Sequence, residues 1–247
     1  MRILISNDDG ILAPGIAALI KAFSAAGHEV YVCAPDGQRS AASHSLTLKA
    51  SLPVKEMEIP GAARAWAIGG TPVDCVKLGV KTLCPQAEFV VSCINHGYNA
   101  GSDILYSGTV GAAMEGALSG RPAMAVSLAH EREDTYDKAA ALAVELFDKL
   151  AAHPLPQGTV FNLNYPAVDD ALGVVAAPMK NLIYNDAYEQ VVGEDGVVRY
   201  ELGGAIDEMQ EMADDDYSWL RKGYATVTAI TFDMTDRAAT DALKRWL

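Results

Sequence analysis

The sequence predicts an α/β protein with a Rossmann-like core of three layers, in which a mostly parallel sheet lies between two layers of helices. Strand and helix patterns alternate over roughly residues 1–165. The strand segments are apolar at nearly every position, which is typical of strands buried on both faces by crossover helices. With 247 residues, half of them hydrophobic, the chain can form one large domain. We therefore expect a single domain over residues 1–247, with its core at about 1–165 and a C-terminal extension at about 175–247.

Each core element has a local signal in the sequence. Apolar residues recur at helical spacing over 16–23, and Gly27 ends that pattern. Thr71 is a suitable N-cap, and Pro72 a suitable first residue, for the next helix. Continuous apolar runs between the helical segments predict strands. The predicted strands are residues 2–6, 29–34, 89–94, 123–128 and 159–163, and the predicted helices are residues 16–26, 71–83, 110–118 and 136–150.

The C-terminal extension has a different pattern. Residues 191–198 predict a hairpin with Asp195-Gly196 near its tip, residues 207–216 an acidic solvated surface, and residues 224–231 a strand. Residues 236–247 predict a closing helix whose apolar face is formed by Ala239, Leu243, Trp246 and Leu247. Because such a face needs a surface to cover it, we expect the hairpin and the helix to pack on a neighbouring subunit, or to be exchanged with it.

Charge and cysteine content exclude several classes of partner. Acidic residues outnumber basic ones by 32 to 19, which gives a formal net charge of −13. This balance opposes binding to a nucleic-acid polymer or to an anionic membrane, so a bound anion would need a metal or main-chain N–H groups. The start of the chain has no signal-peptide pattern, and Cys33, Cys75, Cys84 and Cys93 form no C-x-x-C pair. We expect a reduced, cytoplasmic protein without a zinc site.

Polar residues at the ends of three predicted strands suggest a cation site. Asp8 and Asp9 follow the first strand directly, and Gly10 permits a sharp turn. Ser40 lies in the loop after the second strand, and Asn95 follows the strand at 89–94. Ligands of open α/β sheets bind beyond the carboxyl ends of the strands, and oxygen donors suit Mg²⁺ or Mn²⁺. Taken alone, Asp-Asp-Gly could also be a turn with two solvated acids.

A phosphate site is predicted beside the cation site. Ser107, Gly108 and Thr109 precede a helix, whose first N–H groups can hold a phosphate, and Asn99 adds an amide. A divalent ion here could orient a phosphoryl oxygen, lower the pKa of a water and neutralise charge during in-line displacement. His96, and less strongly His44, could protonate a leaving group. Arg39 could bind phosphate or pair with Asp36 at the surface, and no His–Asp pair supports Ser40 as a nucleophile.

Several different short motifs occur in a defined order along nearly the whole chain. They are Asn7-Asp-Asp-Gly10 with Ala13-Pro-Gly15, Ala34-Pro-Asp36 with Arg39-Ser40, Ser45-Leu-Thr-Leu48, Gly70-Thr-Pro-Val-Asp-Cys-Val76, Ile94-Asn95-x-Gly97-x-Asn99, Tyr106-Ser-Gly-Thr-Val-x-Ala-Ala-Met-Glu-Gly116, Asn162-Leu-Asn164-x-Pro166, Gly223-Tyr224 and Asp233-x-Thr235. This set resembles the stationary-phase survival protein family, SurE. The chain departs from the family at Cys93, where glycine is usual, and at Gly37-Gln38; the match is loose over 183–219.

The resemblance implies a metal-dependent phosphatase that acts on nucleoside monophosphates, 5′ and often 3′. It implies a Rossmann-like core and a C-terminal arm exchanged between the subunits of a homodimer or homotetramer. Asp8, Asp9, Ser40 and Asn95 are then the ligands of one Mg²⁺ or Mn²⁺ per subunit, with Asp8 and Asp9 also catalytic. The implied phosphate or substrate contacts are Asn7, Asn99, Ser107, Gly108 and Thr109.

Two other functions remain open from the sequence. The same cleft could bind a nucleotide or a metal without turning a substrate over. It could also belong to a phosphatase for polyphosphate or for another phosphoester.

Overall fold

A computed structural model describes residues 1–154, 156–207 and 210–247 of the chain. The strands are β1 (Arg2–Ser6), β2 (Glu29–Pro35), β3 (Val54–Met57), β4 (Arg64–Ile68), β5 (Phe89–His96), β6 (Ala123–Leu128), β7 (Thr159–Tyr165), β8 (Val174–Ala176), β9 (Ala187–Val192), β10 (Val198–Gly203) and β11 (Ala225–Thr231). The α-helices are α1 (Pro14–Ala25), α2 (Pro72–Leu78), α3 (Gly108–Leu118), α4 (Tyr136–Ala152), α5 (Asp216–Arg221) and α6 (Arg237–Leu243).

The main sheet has nine strands in the order β3-β4-β2-β1-β5-β6-β7-β11-β8. Strands β4, β2, β1, β5, β6 and β7 are parallel to their neighbours, whereas β3 and β11 run antiparallel to β4 and β7. From β1 the chain first builds the sheet outward through β2 and β4, and then in the other direction through β5, β6 and β7. The predicted Rossmann-like α/β fold is confirmed, and β1 and β5 flank its topological switch point.

Helices cover both faces of the sheet. Ile3 and Ile5 of β1 belong to a core cluster with residues of α1 and α4, whereas Leu4 belongs to the cluster under α2 and α3. Successive strand residues point to opposite faces, so a strand between two helical layers must be apolar at every position. This explains why the core strands were recognisable in the sequence. Among the described residues, no helix is long and apolar enough to cross a membrane.

The predicted start of the second helix is confirmed in detail. The Thr71 hydroxyl accepts the N–H of Asp74 at 3.1 Å, and the Asp74 carboxylate accepts the N–H of Thr71 at 2.9 Å. This reciprocal capping box satisfies two of the unpaired N–H groups at the helix start. The helix then differs from the prediction, because the regular α-helix ends at Leu78 and residues Gly79–Leu83 form a wider π-helical turn.

The C-terminal extension both joins the core sheet and projects from it. Strands β11 and β8 add to the sheet beyond β7, whereas β9 and β10 form the predicted hairpin, which extends to the pair Ala187–Gly203. The closing helix predicted for residues 236–247 ends at Leu243, and Trp246 and Leu247 are 70% and 91% exposed. The elements β3, β4, β8 and α5 were not predicted; all of them are short, and β3 lies at a polar sheet edge.

The acidic segment at 207–216 was predicted to be a solvated surface, and the structure corrects this prediction. Residues 208 and 209 lie outside the described residues. Asp215 and Asp216 are buried rather than solvated, with 6% and 0% of their surface exposed. Asp215 forms an ion pair with Lys180 at 2.9 Å, and the Asp216 carboxylate accepts the N–H groups of Gly101 and Lys180 at 2.7 and 2.9 Å. These partners compensate the loss of hydration, which the sequence pattern alone could not reveal.

Candidate active site

A cleft of about 650 Å³ opens beyond the carboxyl ends of β1 and β5. Its position at the switch point is the usual ligand site of an open α/β sheet, and its size suits a small molecule. The residues that line it are Asp8, Asp9, Gln38, Ser40, Ala41, Asn95, His96, Asn99, Asp103, Tyr106, Ser107, His130, Tyr184, Asp186 and Leu202. The four predicted metal ligands therefore lie in one cleft, although the loop after β1, the loop after β2 and the end of strand β5 supply them.

The loop after β1 is a tight turn that presents the two carboxylates. Gly10 has φ of +102°, a conformation that favours glycine. The Asn7 side chain closes the turn, because its Nδ2 donates to the Gly10 carbonyl at 2.8 Å and its Oδ1 accepts the Gly10 N–H at 3.2 Å. Asn7 is 1% exposed and does not line the cleft. Its side chain thus shapes the Asp8–Asp9 turn, and a direct contact between Asn7 and substrate remains only a prediction.

Asp8 is held from two sides. The Thr109 hydroxyl donates to Asp8 Oδ1, and the Arg39 N–H donates to the Asp8 carbonyl at 2.7 Å. A Cβ added at Gly108 would lie 3.0 Å from Asp8 Oδ2, so glycine lets the start of α3 approach this carboxylate closely. The side chain of Thr109 is fully buried, and its hydroxyl proton is taken up by the hydrogen bond to Asp8. Its main-chain N–H at the start of α3 remains the candidate for phosphate binding.

The electrostatics of the cleft suit a divalent cation. Burial raises the pKa of Asp8 to about 6, and the neighbouring Asp9 adds to this, although the Thr109 hydrogen bond opposes it. Burial also raises the pKa of Asp9, against the effect of the His96 main-chain N–H. None of the described residues that line the cleft is a lysine or an arginine. Two crowded carboxylates, with no lysine or arginine among the described residues that line the cleft, are a donor set that a bound cation would stabilise.

Ser40 and Asn95 could complete the oxygen donor set. Ser40 is exposed, and its hydroxyl accepts Gln38 Nε2 at 2.9 Å. Asn95 Nδ2 donates to the Gly97 carbonyl at 2.9 Å, which makes Asn95 Oδ1 the atom that can serve as a ligand. Among the described residues, no group of three or more His, Cys, Asp or Glu side chains forms a metal site. A cation in this cleft would therefore depend on the hydroxyl and the amide as well as on the two carboxylates.

The loop that carries Ser40 is strained and anchored. Ala41 and Ser43 have φ of 53° and 51°, which side-chain-bearing residues adopt at a cost. Ser43 compensates by binding the neighbouring loop, with its N–H donating to the Tyr106 carbonyl at 3.1 Å and its hydroxyl to the Leu105 carbonyl at 2.7 Å. The loop between β2 and β3 is in this way fixed to the segment before α3.

Two of the predicted phosphate residues face the cleft. Ser107 caps α3 by accepting the Val110 N–H at 3.1 Å, and both Ser107 and Asn99 line the cleft. Gly108 and Thr109 are the first residues of α3, whose N–H groups lack partners within the helix.

Cys93, which departs from the family pattern, is fully buried just before Asn95, and the pairing of β5 with β6 shifts register between Ser92 and Asn95.

The basic residues considered in the sequence have different surroundings. Arg39 pairs with Asp36 at 2.8 Å and does not line the cleft. Of the two roles considered from the sequence, this is the surface pairing with Asp36 and not phosphate binding. His96 lines the cleft, its ring stacks on that of His130 at 4.2 Å, and its Nε2 donates to the His130 carbonyl at 2.6 Å. His44 instead lies away from the cleft.

His44 belongs to a cluster of ionisable side chains around the buried Glu115 of α3. His44 Nε2 lies 3.1 Å from one carboxylate oxygen of Glu115, and Lys77 Nζ lies 2.7 Å from the other. Burial would raise the pKa of Glu115, but the hydrogen bonds from His44 and Lys77 outweigh it and hold that pKa below its ordinary value. This cluster joins the Ser40 loop, α2 and α3 at one point.

One wall of the cleft was not predicted from the sequence. Asp103, in a 3-10 helix before α3, and His130 come from the core side, together with Tyr106 of the quoted Tyr106–Gly116 motif, and Tyr184, Asp186 and Leu202 come from the base of the β9–β10 hairpin. The Tyr184 hydroxyl donates to Asp103 Oδ2 and so ties the two sides together. No spacing or composition signal marks the contact between Tyr184 and Asp103 in the sequence, because 81 positions separate them.

Comparison with known proteins gives matches over nearly the whole chain. A family model described as Survival protein SurE matches residues 3–185. A 5′-nucleotidase SurE from Synechococcus sp. (strain JA-3-3Ab) is 42% identical over 253 aligned residues, which cover 100% of this chain and 97% of that protein. Another, from Xanthomonas axonopodis pv. citri (strain 306), is 41% identical, with 100% and 96% covered. The crystal structure of the SurE protein from Aquifex aeolicus has a TM-score of 0.85 at 30% identity, covering 99% of each chain.

Proposed function

The chain belongs to the survival protein SurE family, and from this premise we propose that it is a metal-dependent phosphatase that hydrolyses nucleoside 5′-monophosphates. We extend the proposal to nucleoside 3′-monophosphates. The observation that carries it is the meeting of Asp8, Asp9, Ser40 and Asn95 in one cleft, beside the amino-terminal end of α3. The names of the relatives, 5′-nucleotidase SurE, support the same reaction.

In this proposal one Mg²⁺ or Mn²⁺ per subunit is held by Asp8, Asp9, Ser40 and Asn95. Such a cation, when bound, lowers the pKa of a water and offsets the negative charge of the phosphoryl group. The raised pKa of Asp8 and of Asp9 supports the assignment, because both carboxylates are crowded together in a cleft wall without lysine or arginine among the described residues. Asp9 is the more exposed of the two and can accept a hydrogen bond from the attacking water.

The residues of the chain itself would bind the phosphate. The N–H groups of Gly108 and Thr109 at the start of α3, with the amides and hydroxyls of Asn99 and Ser107, can donate to the equatorial oxygens. These donors are uncharged, so the negative charge of the substrate is balanced mainly at the cation side. His96 and His130 line the cleft and are the side chains that could protonate the leaving oxygen.

Phosphate release from 5′-AMP and 3′-AMP, with Mn²⁺ or Mg²⁺ and again with EDTA, tests the reaction. Asp9→Asn is expected to lower turnover by orders of magnitude without unfolding the protein. Asp137→Asn is the matched control, because Asp137 is an exposed acid paired with Lys21 at 3.1 Å and lies outside the cleft. Activity that survives both EDTA and Asp9→Asn would contradict the proposal.

Two alternatives are separated by the same assays. Tight binding of AMP to metal-loaded protein without phosphate release would favour a nucleotide-binding protein. Higher kcat/KM for polyphosphate or another phosphoester than for any nucleoside monophosphate would favour a different phosphatase. The cleft gives no specific observation in favour of either alternative.

The C-terminal extension is proposed to form a homodimer or a homotetramer. A two-stranded hairpin is marginally stable alone, and β9–β10 exposes Tyr188, Tyr200 and Leu202 by 69%, 64% and 64%. Trp246 at the chain end is also exposed. Light scattering that gives a monomer at micromolar concentration would refute this assembly. We also propose a cytoplasmic location, consistent with four buried cysteines that are free thiols.

A further inference from the structure

Asn99 is fixed at the cleft by side chains from the neighbouring strands β6 and β7. Its main-chain N–H donates to Asn164 Oδ1 at 2.9 Å. Its main-chain carbonyl accepts Asn162 Nδ2 at 2.7 Å and Asn164 Nδ2 at 2.9 Å. Its side-chain Nδ2 donates to the Ser127 hydroxyl at 2.8 Å. Four hydrogen bonds thus fix both the backbone and the side chain of one residue.

These supporting side chains occupy positions where the fold would favour apolar residues. Ser127, Asn162 and Asn164 are fully buried in parallel strands of the central sheet. Asn162 and Asn164 are two residues apart, so they point to the same face of β7. Burying an amide is unfavourable unless hydrogen bonds replace those to water, and a satisfied buried network fixes geometry. The Asn164 amide directs both its Oδ1 and its Nδ2 to Asn99, and the Asn162 amide directs its Nδ2 there, whereas Asn162 Oδ1 has no hydrogen-bond partner among the described residues.

We propose that Asn164, Asn162 and Ser127 are positioning residues that hold Asn99 in the orientation needed to bind the substrate phosphate. The inference rests on the proposed function and deepens it. The supporting bonds use the N–H and carbonyl of Asn99 and one of its two side-chain hydrogens. The second Nδ2 hydrogen remains as the donor that the cleft can offer to a phosphoryl oxygen. Because Asn99 is only 7% exposed yet lines the cleft, a small rotation would withdraw that donor.

Three of the four proposed cation ligands lie outside this network, and the fourth, Asn95, is paired with Ser127 in the sheet but directs its side-chain Nδ2 to the Gly97 carbonyl. Asp8, Asp9 and Ser40 belong to the loops after β1 and β2, and none of them forms a described hydrogen bond with Asn99, Asn164 or Ser127. A positioning role therefore predicts a selective effect on phosphate binding, whereas general damage to the fold would also weaken cation binding.

The test compares Asn164→Asp and Ser127→Ala with wild type and with the control Thr228→Val. Asn164→Asp retains an acceptor for the Asn99 N–H but replaces the donor to the Asn99 carbonyl by a second oxygen. Ser127→Ala removes the side-chain support and leaves the backbone support intact. Thr228 is 4% exposed on β11, opposite Asn162, and its hydroxyl has no partner among the described residues, so valine removes no hydrogen bond.

Kinetics with 5′-AMP and Mn²⁺, inhibition by inorganic phosphate, and amide exchange of the 97–101 segment are measured for each variant. We expect Asn164→Asp and Ser127→Ala to lower kcat/KM by about 10- to 100-fold and to raise the phosphate inhibition constant. The Mn²⁺ concentration at half-saturation should stay within about twofold of wild type, on the scale of weak surface effects. Amide exchange over 97–101 should accelerate in Asn164→Asp, and Thr228→Val should match wild type in all of these.

The results decide whether these side chains position Asn99 for phosphate binding or only stabilise the fold. Unchanged phosphate inhibition in both variants, or equal losses in phosphate and Mn²⁺ affinity, would overturn the inference. If Asn164→Asp does not fold, Ser127→Ala alone decides. If wild type releases no phosphate from nucleotides, the proposed function fails, and calorimetric binding of inorganic phosphate to the Mn²⁺-loaded protein replaces kinetics. Weaker phosphate binding by the variants would then still support the positioning role, and unchanged binding would refute it.

Discussion

Replacing Asp8 by asparagine should stabilise the metal-free protein while abolishing its activity. Burial raises the pKa of Asp8 from its ordinary 3.8 to about 6. A carboxyl with a higher pKa in the folded state than in the unfolded state binds its proton more tightly when folded. Its ionisation therefore lowers stability as pH rises from 3.8 to about 6, and the loss is constant above that range.

The size of this effect follows from the pKa. Each pKa unit corresponds to about 1.4 kcal/mol, so ionised Asp8 costs the metal-free fold about 3 kcal/mol at pH 7.5. Asparagine removes the charge and keeps an oxygen that can accept the Thr109 hydroxyl. Allowing for imperfect placement of the new amide, we expect Asp8→Asn to be more stable by about 1–3 kcal/mol, which raises Tm by several degrees.

Urea unfolding in EDTA, at pH 7.5 and at pH 4, measures the difference between Asp8→Asn and wild type. The gain should be present at pH 7.5 and nearly absent at pH 4, where folded Asp8 is already protonated. Added Mn²⁺ should raise the Tm of wild type more than that of the variant. Asp137→Asn serves as the control, and its exposed position predicts changes within about 0.5 kcal/mol at both values of pH.

Two results would refute this reasoning. If Asp8→Asn is less stable than wild type at pH 7.5 in EDTA, the Asp8 carboxylate is not destabilised by its surroundings. If Mn²⁺ stabilises the variant as much as wild type, the cation does not bind at Asp8. The first result would contradict the raised pKa of Asp8, and the second would remove Asp8 from the proposed cation ligands.

Three further predictions follow from contacts around the cleft. Thr109→Val should cost about 1.5–3 kcal/mol in urea unfolding at pH 7.5 and lower kcat/KM, because Asp8 loses a buried hydroxyl donor; an unchanged midpoint would contradict it. Gly15→Ala should lower stability by about 1–3 kcal/mol and weaken Mn²⁺ activation, because the new Cβ would lie 2.2 Å from the Ile94 carbonyl oxygen; wild-type Tm and Mn²⁺ dependence would refute this. Glu115→Gln should cost about 1–3 kcal/mol at pH 7. Because hydrogen bonds outweigh burial and lower the Glu115 pKa, that difference should shrink as pH falls below the ordinary value of 4.5; a difference independent of pH would contradict it.

The core fold could be predicted because its signals are local. Strands β1, β5 and β6 are apolar at nearly every position, and a helical layer on each face of the sheet requires that pattern. The short edge strand β3 lacked such a signal, since its residues are mostly exposed. The end of α6 was predicted too late, because the apolar residues that suggested a longer helix, Trp246 and Leu247, are exposed beyond it.

The candidate cation site was also accessible from the sequence, for a geometric reason. Asp8-Asp9 follow β1 and Asn95 lies at the end of its parallel neighbour β5, and the carboxyl ends of such strands meet at one edge of the sheet. Polar residues at those ends therefore indicated a shared site before any distance was known. Their role as metal ligands remains a prediction that the proposed experiments test.

What the sequence determined by itself was the layered α/β core and the edge of the sheet at which oxygen ligands gather. Only the tertiary structure decided which residues support them. Thr109 binds Asp8 across 101 positions of the chain, and Asp216 binds the Gly101 N–H across 115. The acidic segment that ends at Asp216 was expected to be solvated because partners so distant along the chain leave no signal in the local sequence. Periodicity and composition report the local chain, whereas burial and hydrogen bonding of a polar group depend on neighbours that only the folded chain brings together.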